Sequence, residues 1–130
     1  MDKHFSLEIV TPVKTLNFEK AQYLRAPSEG LFGVMYGHAP SIINLDIGEV
    51  KVLSNNKESF FSISGGFAEI SKDKVSLLVE SIESKEEIDK DRSNKALERA
   101  ESRLKDSSID QIRANLALKR AINRLKVSSR

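Results

Sequence analysis

Ile82-Glu83-Ser84-Lys85-Glu86-Glu87-Ile88-Asp89-Lys90-Asp91-Arg92, residues 82–92, is where this chain changes character. Upstream lie short alternating apolar segments punctuated by glycines. Downstream there is no glycine or proline, and charged residues crowd a stretch with helix signals at both ends. Ser84-x-x-Glu87 has the capping-box spacing, in which a hydroxyl and a carboxylate satisfy free N–H groups at a helix start. Ser108-Ile109-Asp110-Gln111 repeats the signal as Ser-x-x-Gln, and Asp106-Ser107 interrupts the pattern between the two. The spacing predicts two helices, Lys85–Lys105 and Ile109–Lys126, joined by a tight turn.

The first of these helices has just Ile88, Leu97 and Leu104 as large apolar residues. Isolated helices of this length are marginal in water, so it must lean on neighbours and should be weakly held. In the second, a pitch of about 100° per residue puts Ala114, Leu118, Ala121, Ile122 and Leu125 on one face. That stripe suits packing against the first helix or the upstream module. Arg113, Arg120 and Arg124 share another sector, about 40° wide by the same geometry. Guanidinium groups in a row suit planar oxyanions or carboxylates, which they grip in bidentate fashion. A solvated helix face would carry the same residues.

Working back from residue 82, Phe5, Leu7 and Ile9 alternate with Ser6 and Glu8, the period of a half-buried strand. The alternation recurs at Tyr23–Arg25, Val50–Val52, Phe61–Ile63 and Val75–Val79. Turn-forming clusters separate the runs: Pro27-Ser28-Glu29-Gly30, Ser54-Asn55-Asn56-Lys57 and Ser71-Lys72-Asp73-Lys74. Short strands with polar turns indicate an antiparallel sandwich or barrel. The expected organisation is therefore a β module over residues 1–83 followed by a two-helix hairpin over 84–130. Gly33 to Pro40 and Ser64 to Ile70 are glycine-bearing segments read as bulges or tight corners. Neither is followed by a helix, and no Gly-x-x-x-x-Gly-Lys sequence is present, so neither reads as a phosphate loop.

Composition narrows the function classes. Of the 130 residues 39% are hydrophobic and 6% aromatic, which allows a thin core. With no cysteine, disulfides, thiolate chemistry and Cys-based zinc sites are excluded. The longest uncharged stretch, Gly30 to Leu45, is broken by glycines, His38 and Pro40 and does not read as a membrane span. The opening Met-Asp-Lys-His-Phe-Ser lacks the layout of a secretory signal. The net charge of +2 hides an asymmetry: residues 1–82 hold 8 Lys/Arg against 10 Asp/Glu, whereas residues 108–130 hold 6 against Asp110 alone. A basic last segment favours an anionic partner. His4 and His38 are the only histidines and have no carboxylate partners at ligand spacing, which argues against a metal or acid–base enzyme. A nucleic-acid-binding module using the basic last helix is the alternative reading. The net-acidic β half, without aromatic–basic interleaving, argues against it.

Four stretches in order carry a family resemblance: Leu7-Glu8-Ile9-Val10-Thr11-Pro12; Gly33-Val34-Met35-Tyr36-Gly37-His38-Ala39-Pro40; Ser64-Gly65-Gly66-Phe67-Ala68-Glu69; and Ala117-Leu118-Lys119-Arg120-Ala121-Ile122-Asn123-Arg124-Leu125. Together they resemble the epsilon subunit of F-type, proton-translocating ATP synthases across essentially the whole chain. The resemblance implies a β-sandwich bearing a two-helix arm in the rotating central stalk. It implies contacts with the gamma subunit and the c-ring, and with the alpha and beta catalytic subunits when the arm extends. The implied role is non-catalytic: coupling proton flow to ATP synthesis, and restraining hydrolysis through the arm. No cofactor is required, nucleic acid is not a partner, and membrane association, at the cytoplasmic face of a bacterial plasma membrane, comes through the complex.

Some members of that family bind ATP on the folded hairpin through Ile/Leu-Asp-x-x-Arg-Ala with arginines on the second helix. Ile88-Asp89-Lys90-Asp91-Arg92 fits, with Ser93 where alanine is expected. The resemblance thus implies an ATP site of Glu83, Ile88, Asp89, Arg92, Arg120 and Arg124. Arg92, Arg120 and Arg124 would meet phosphate, while Glu83 and Asp89 would accept from base or ribose. An Asp89–Arg92 ion pair at i,i+3 is the plain alternative. Glu29, Gly33 and His38 mark the segment expected to turn toward gamma or the ring.

Overall fold

The computed structural model describes residues 3–106 and 110–130. Seven strands come first: β1 Phe5–Val10, β2 Thr15–Ser28, β3 Gly30–Val34, β4 Ser41–Ser54, β5 Lys57–Ile70, β6 Lys74–Val79 and β7 Ile82–Ser84. A single 3-10 turn, Lys85–Glu87, leads into α1 Lys90–Leu104 and α2 Gln111–Ser128. The apolar runs read from the sequence are the buried middles of longer strands, because β2, β4 and β5 each run 14 residues.

Each strand lies beside the next in the order β1-β6-β5-β4-β2-β3. β1 also pairs with β2, with Leu7 opposite Phe18, so β1, β6, β5, β4 and β2 close into a ring. All pairings are antiparallel except β1–β6, where Leu7 and Ile9 run parallel beside Val75 and Leu77. The alternation in β1 sends Phe5, Leu7 and Ile9 inward, and they meet Leu24, Val50, Val52, Ile63, Val75 and Leu77 in one core. The Ser54–Lys57 turn works as read: Asn55 and Asn56 both take left-handed φ, 53° and 59°, the geometry of a two-residue hairpin turn. At the other end of β5, Gly66 has φ 149°, and a Cβ there would lie 2.0 Å from the Leu78 carbonyl oxygen. Only glycine lets β6 approach so closely.

The sheet-then-hairpin architecture follows the sequence, with local corrections. The stretch from Glu29 to His38 is not one turn, because β3 forms inside it and pairs with β2 from Ser28↔Gly30 to Leu24↔Val34. β7 adds a short strand on β5, Ile63↔Ile82, just before the chain leaves the sheet. The first helix does not run unbroken from Lys85. Ser84 and Glu87 form their reciprocal capping box, yet they cap only the 3-10 turn. Ile88 then becomes extended and buried, 8% exposed, and Asp89 caps α1 by accepting from the Arg92 backbone N–H at 3.0 Å. Burying Ile88 outweighs helical continuity at that point. The second proposed capping box lies partly outside the described residues, which omit Ser108 and Ile109. In what is described, Asp110 is the N-cap of α2 and accepts from the N–H groups of Ile112 and Arg113.

α2 rests on β4 and β5, and α1 lies on α2. The fully buried apolar residues of the two helices are mostly small, Ala100 of α1 and Ala114 and Ala121 of α2, with Leu97, Leu104, Leu118 and Leu125 half-buried. Of the apolar stripe read for α2, Ile122 is exposed instead. Its place against the sheet is taken by Asn123, whose amide has a polar partner there.

Candidate functional site

β7, the 3-10 turn and the two helices meet at one corner. Glu83 is the middle residue of β7, the last strand before the helices, and Arg124 stands on the penultimate turn of α2, facing it. Arg124 Nε donates to Glu83 Oε1 at 2.6 Å, with both side chains partly exposed. This pair separates two clefts. The larger, about 300 Å³, lies between α2 and the sheet and is lined by Ser62, Ser64, Glu80, Glu83, Arg120 and Arg124 among others. The smaller, about 150 Å³, opens toward α1 and is lined by Glu83, Glu87, Asp89, Arg92, Ser93 and Arg124.

Of the residues implied as nucleotide contacts, Glu83, Asp89, Arg92, Arg120 and Arg124 thus line two adjoining clefts. Ile88 lines neither and is buried beneath them. The plain Asp89–Arg92 reading changes form: the aspartate takes the Arg92 backbone N–H rather than its guanidinium. Ser93, where alanine is expected, is buried in the first turn of α1. Arg120 also borders a third groove, about 580 Å³, with Arg103, Asp110 and Arg113, so guanidinium groups from both helices follow one side of the hairpin. Such a row can meet several oxyanions at once, and the neighbouring carboxylates can accept from hydroxyl or amine.

The floor of the corner is fixed electrostatically. The Ser84 N–H donates to Glu87 Oε1 at 3.1 Å and Lys14 Nζ donates to Glu87 Oε2 at 3.3 Å. Bonds with Ser84, then with Lys14, hold the Glu87 carboxyl below its usual 4.5. The β1–β2 loop is thereby strapped to the entrance of the hairpin. Among the described residues, no group of three or more His, Asp or Glu side chains converges as a metal site.

The segment expected to face subunits sits on the sheet, away from this corner. Glu29 is exposed at the tip of the β2–β3 hairpin. Gly33, on β3, lies under Tyr23, whose hydroxyl would be 2.7 Å from an added Cβ. His38 follows in the loop, with its N–H donating to Met35 O and its Nδ1 2.7 Å from Ala39 O.

Sequence reasoning missed a second set of side chains between α2 and β4. Asn123 Nδ2 donates to Gly48 O at 2.8 Å and to Ser62 Oγ at 2.9 Å. Glu49, 4% exposed, accepts from Arg25 and from Arg130. The available signal for the first was an asparagine lined up with Leu116 and Val127 on the side of α2 opposite Ala114. For the second there was none, because Glu49 alternates as a solvent-facing strand residue would.

Residues 4–85 match the family model described as ATP synthase, Delta/Epsilon chain, beta-sandwich domain, and residues 86–129 match the corresponding long alpha-helix domain. An ATP synthase epsilon chain from Nitratidesulfovibrio vulgaris strain DP4 is 48% identical over 105 residues, covering 80% of this chain and 78% of that protein. One from Koribacter versatilis strain Ellin345 is 41% identical over 104 residues, covering 79% and 73%. Among solved structures, a chain of the Euglena gracilis mitochondrial ATP synthase, OSCP/F1/c-ring, superposes with a TM-score of 0.86 at 25% identity, covering 98% of this chain and 82% of that one. A chain of the Tetrahymena thermophila mitochondrial ATP synthase central stalk/c-ring has the same fold, with a TM-score of 0.62 at 17% identity over 99% and 97%.

Proposed function

This chain belongs to the ATP synthase delta/epsilon family as a non-catalytic epsilon-type stalk subunit, and from that premise we propose that its hairpin is an ATP-responsive brake on hydrolysis. The β-sandwich mounts on the gamma subunit and c-ring, with the β2–β3 hairpin and the loop to His38 on that side. This mounting couples proton flow to ATP synthesis and holds the protein peripherally at the membrane, at the cytoplasmic face in a bacterium. Among the described residues no helix is long and apolar enough to cross a membrane. The arm lies folded on the sandwich with ATP bound and extends toward the alpha and beta subunits without it.

The observation that carries the nucleotide reading is the Arg124–Glu83 pair at the junction of the two clefts, with Arg92 and Arg120 on either side. Polyphosphate placed there would engage guanidinium groups from both helices and release Glu83 to accept from ribose or base. A ligand that needs α1, α2 and β7 together binds the folded arm and not the extended one. At a hundredfold excess over Kd it stabilises the folded arm by about 2.7 kcal/mol, enough to move two nearly balanced states. The alanine seam, whose neighbouring leucines are only half-buried, keeps them close in energy.

Calorimetric titration of ATP into the full chain tests this reading. Arg124→Ala and Arg120→Ala should each weaken binding about tenfold or more, as expected for loss of a charge-assisted contact. Equal affinity in both variants, or no heat with the unaltered chain, overturns the nucleotide site.

A further inference from the structure

Seven residues after Asn123, just beyond the end of α2, the chain makes a second attachment to the same strand. Arg130 lies just past Ser129, the C-cap of α2, and its contacts fall on the same side as those of Asn123. There they reach consecutive residues of β4: Asn123 holds the Gly48 carbonyl, and Arg130 holds the Glu49 carboxylate. The Arg130 contact is bidentate, Nε to Oε2 at 2.7 Å and Nη2 to Oε1 at 2.8 Å. Its guanidinium also stands 5.5 Å from the centre of the Phe60 ring. Arg124 projects from α2 about 100° away from Asn123, into the nucleotide clefts, so the two attachments do not share a side chain.

Glu49 has another arginine. Arg25 Nη2, from β2, donates to the same Oε1 at 2.7 Å. Arg25 and Glu49 belong to adjacent strands of the sandwich and stay together whatever the arm does. A buried carboxylate whose sole counter-ion left with the arm would be stranded at high cost. With Arg25 resident, Glu49 keeps a partner while Arg130 departs.

We propose that Arg130 and Glu49 form a nucleotide-independent clasp which fastens the C-terminal end of α2 to the sandwich, and that Arg25 makes the clasp reversible. The inference rests on the mobile-arm reading above but not on the ATP site. The clasp sets how far the arm is folded before any ligand arrives. Arg25 competes for the same oxygen and tunes the hold downward.

Hydrogen–deuterium exchange of the full chain in ATP-free buffer tests this. Arg130→Ala should raise the exchange rates of α2 amides, residues 111–128, about tenfold while leaving β4–β5 amides unchanged. Arg130→Lys, which keeps the charge but loses the fork, should fall between. Arg25→Met should act in the opposite direction, slowing α2 exchange because opening would then strand Glu49. Unchanged α2 exchange in Arg130→Ala overturns the clasp, as does a uniform rise in sheet and helix together. A rise in Arg25→Met like that of Arg130→Ala overturns the assignment of Arg25. Failure of the ATP site would show instead as no effect of added ATP on α2 exchange in the unaltered chain.

Discussion

At Gly66 a single missing carbon decides whether β5 and β6 can pair. Gly66→Ala would press Cβ against the Leu78 carbonyl in a backbone conformation that side chains rarely adopt. The strand must shift, and we expect a loss of at least about 2 kcal/mol in denaturant unfolding. Asn123→Ala is the polar counterpart: it leaves Gly48 O and Ser62 Oγ without their donor beneath the helix, costing about 1–3 kcal/mol. Glu87 supplies a pH dependence whose sign is fixed by its partners. Its folded-state pKa lies below 4.5, so the capping interaction is complete above 4.5 and is lost as pH falls through the lower folded value. An NMR titration following the Ser84 amide should therefore have its midpoint below 4.5. A midpoint at or above 4.5 would contradict the strap. Individual residues were unevenly legible in the sequence. The arginines of α2 announced themselves by spacing, whereas Glu49 looked like any exposed strand residue until Arg25 and Arg130 converged on it from distant segments.

At the scale of elements, the sequence defines types better than ends. β3 escaped notice because Gly30-Leu31-Phe32-Gly33-Val34 carries two glycines, residues that weaken a strand unless close backbone approach calls for them. The start of α1 was displaced because the Ser84 box is real but local. Nothing in the spacing says that Ile88 will be drawn into the interior and that Asp89 will begin the helix anew. The described start of α2 gives a test of what caps do: Asp110→Ala should cost about 1 kcal/mol of hairpin stability, seen as faster amide exchange in the first turn of α2 with the sheet unaffected. The seam between the helices sets the opposite limit. Ala100 and Ala114 are buried where the backbones come close, so Ala100→Leu should force the helices apart at a cost of about 1–3 kcal/mol. That variant should populate the extended arm and weaken ATP binding together.

For the molecule as a whole, order of elements and overall class were legible because the hydrophobic period switches once, near residue 83, and does not switch back. The closing of the ring was not. Which strands become neighbours depends on long-range pairing, and the parallel contact of β1 with β6 leaves no mark in local periodicity. That contact has a consequence for synthesis on the ribosome. Leu7 lies beside Val75, so the first strand emerges long before its neighbour exists. Until residues 74–79 leave the exit tunnel, the nascent chain holds β1 with one flank unpaired. The body cannot lock as it is made, and its completion waits for β6, the last long strand before the arm.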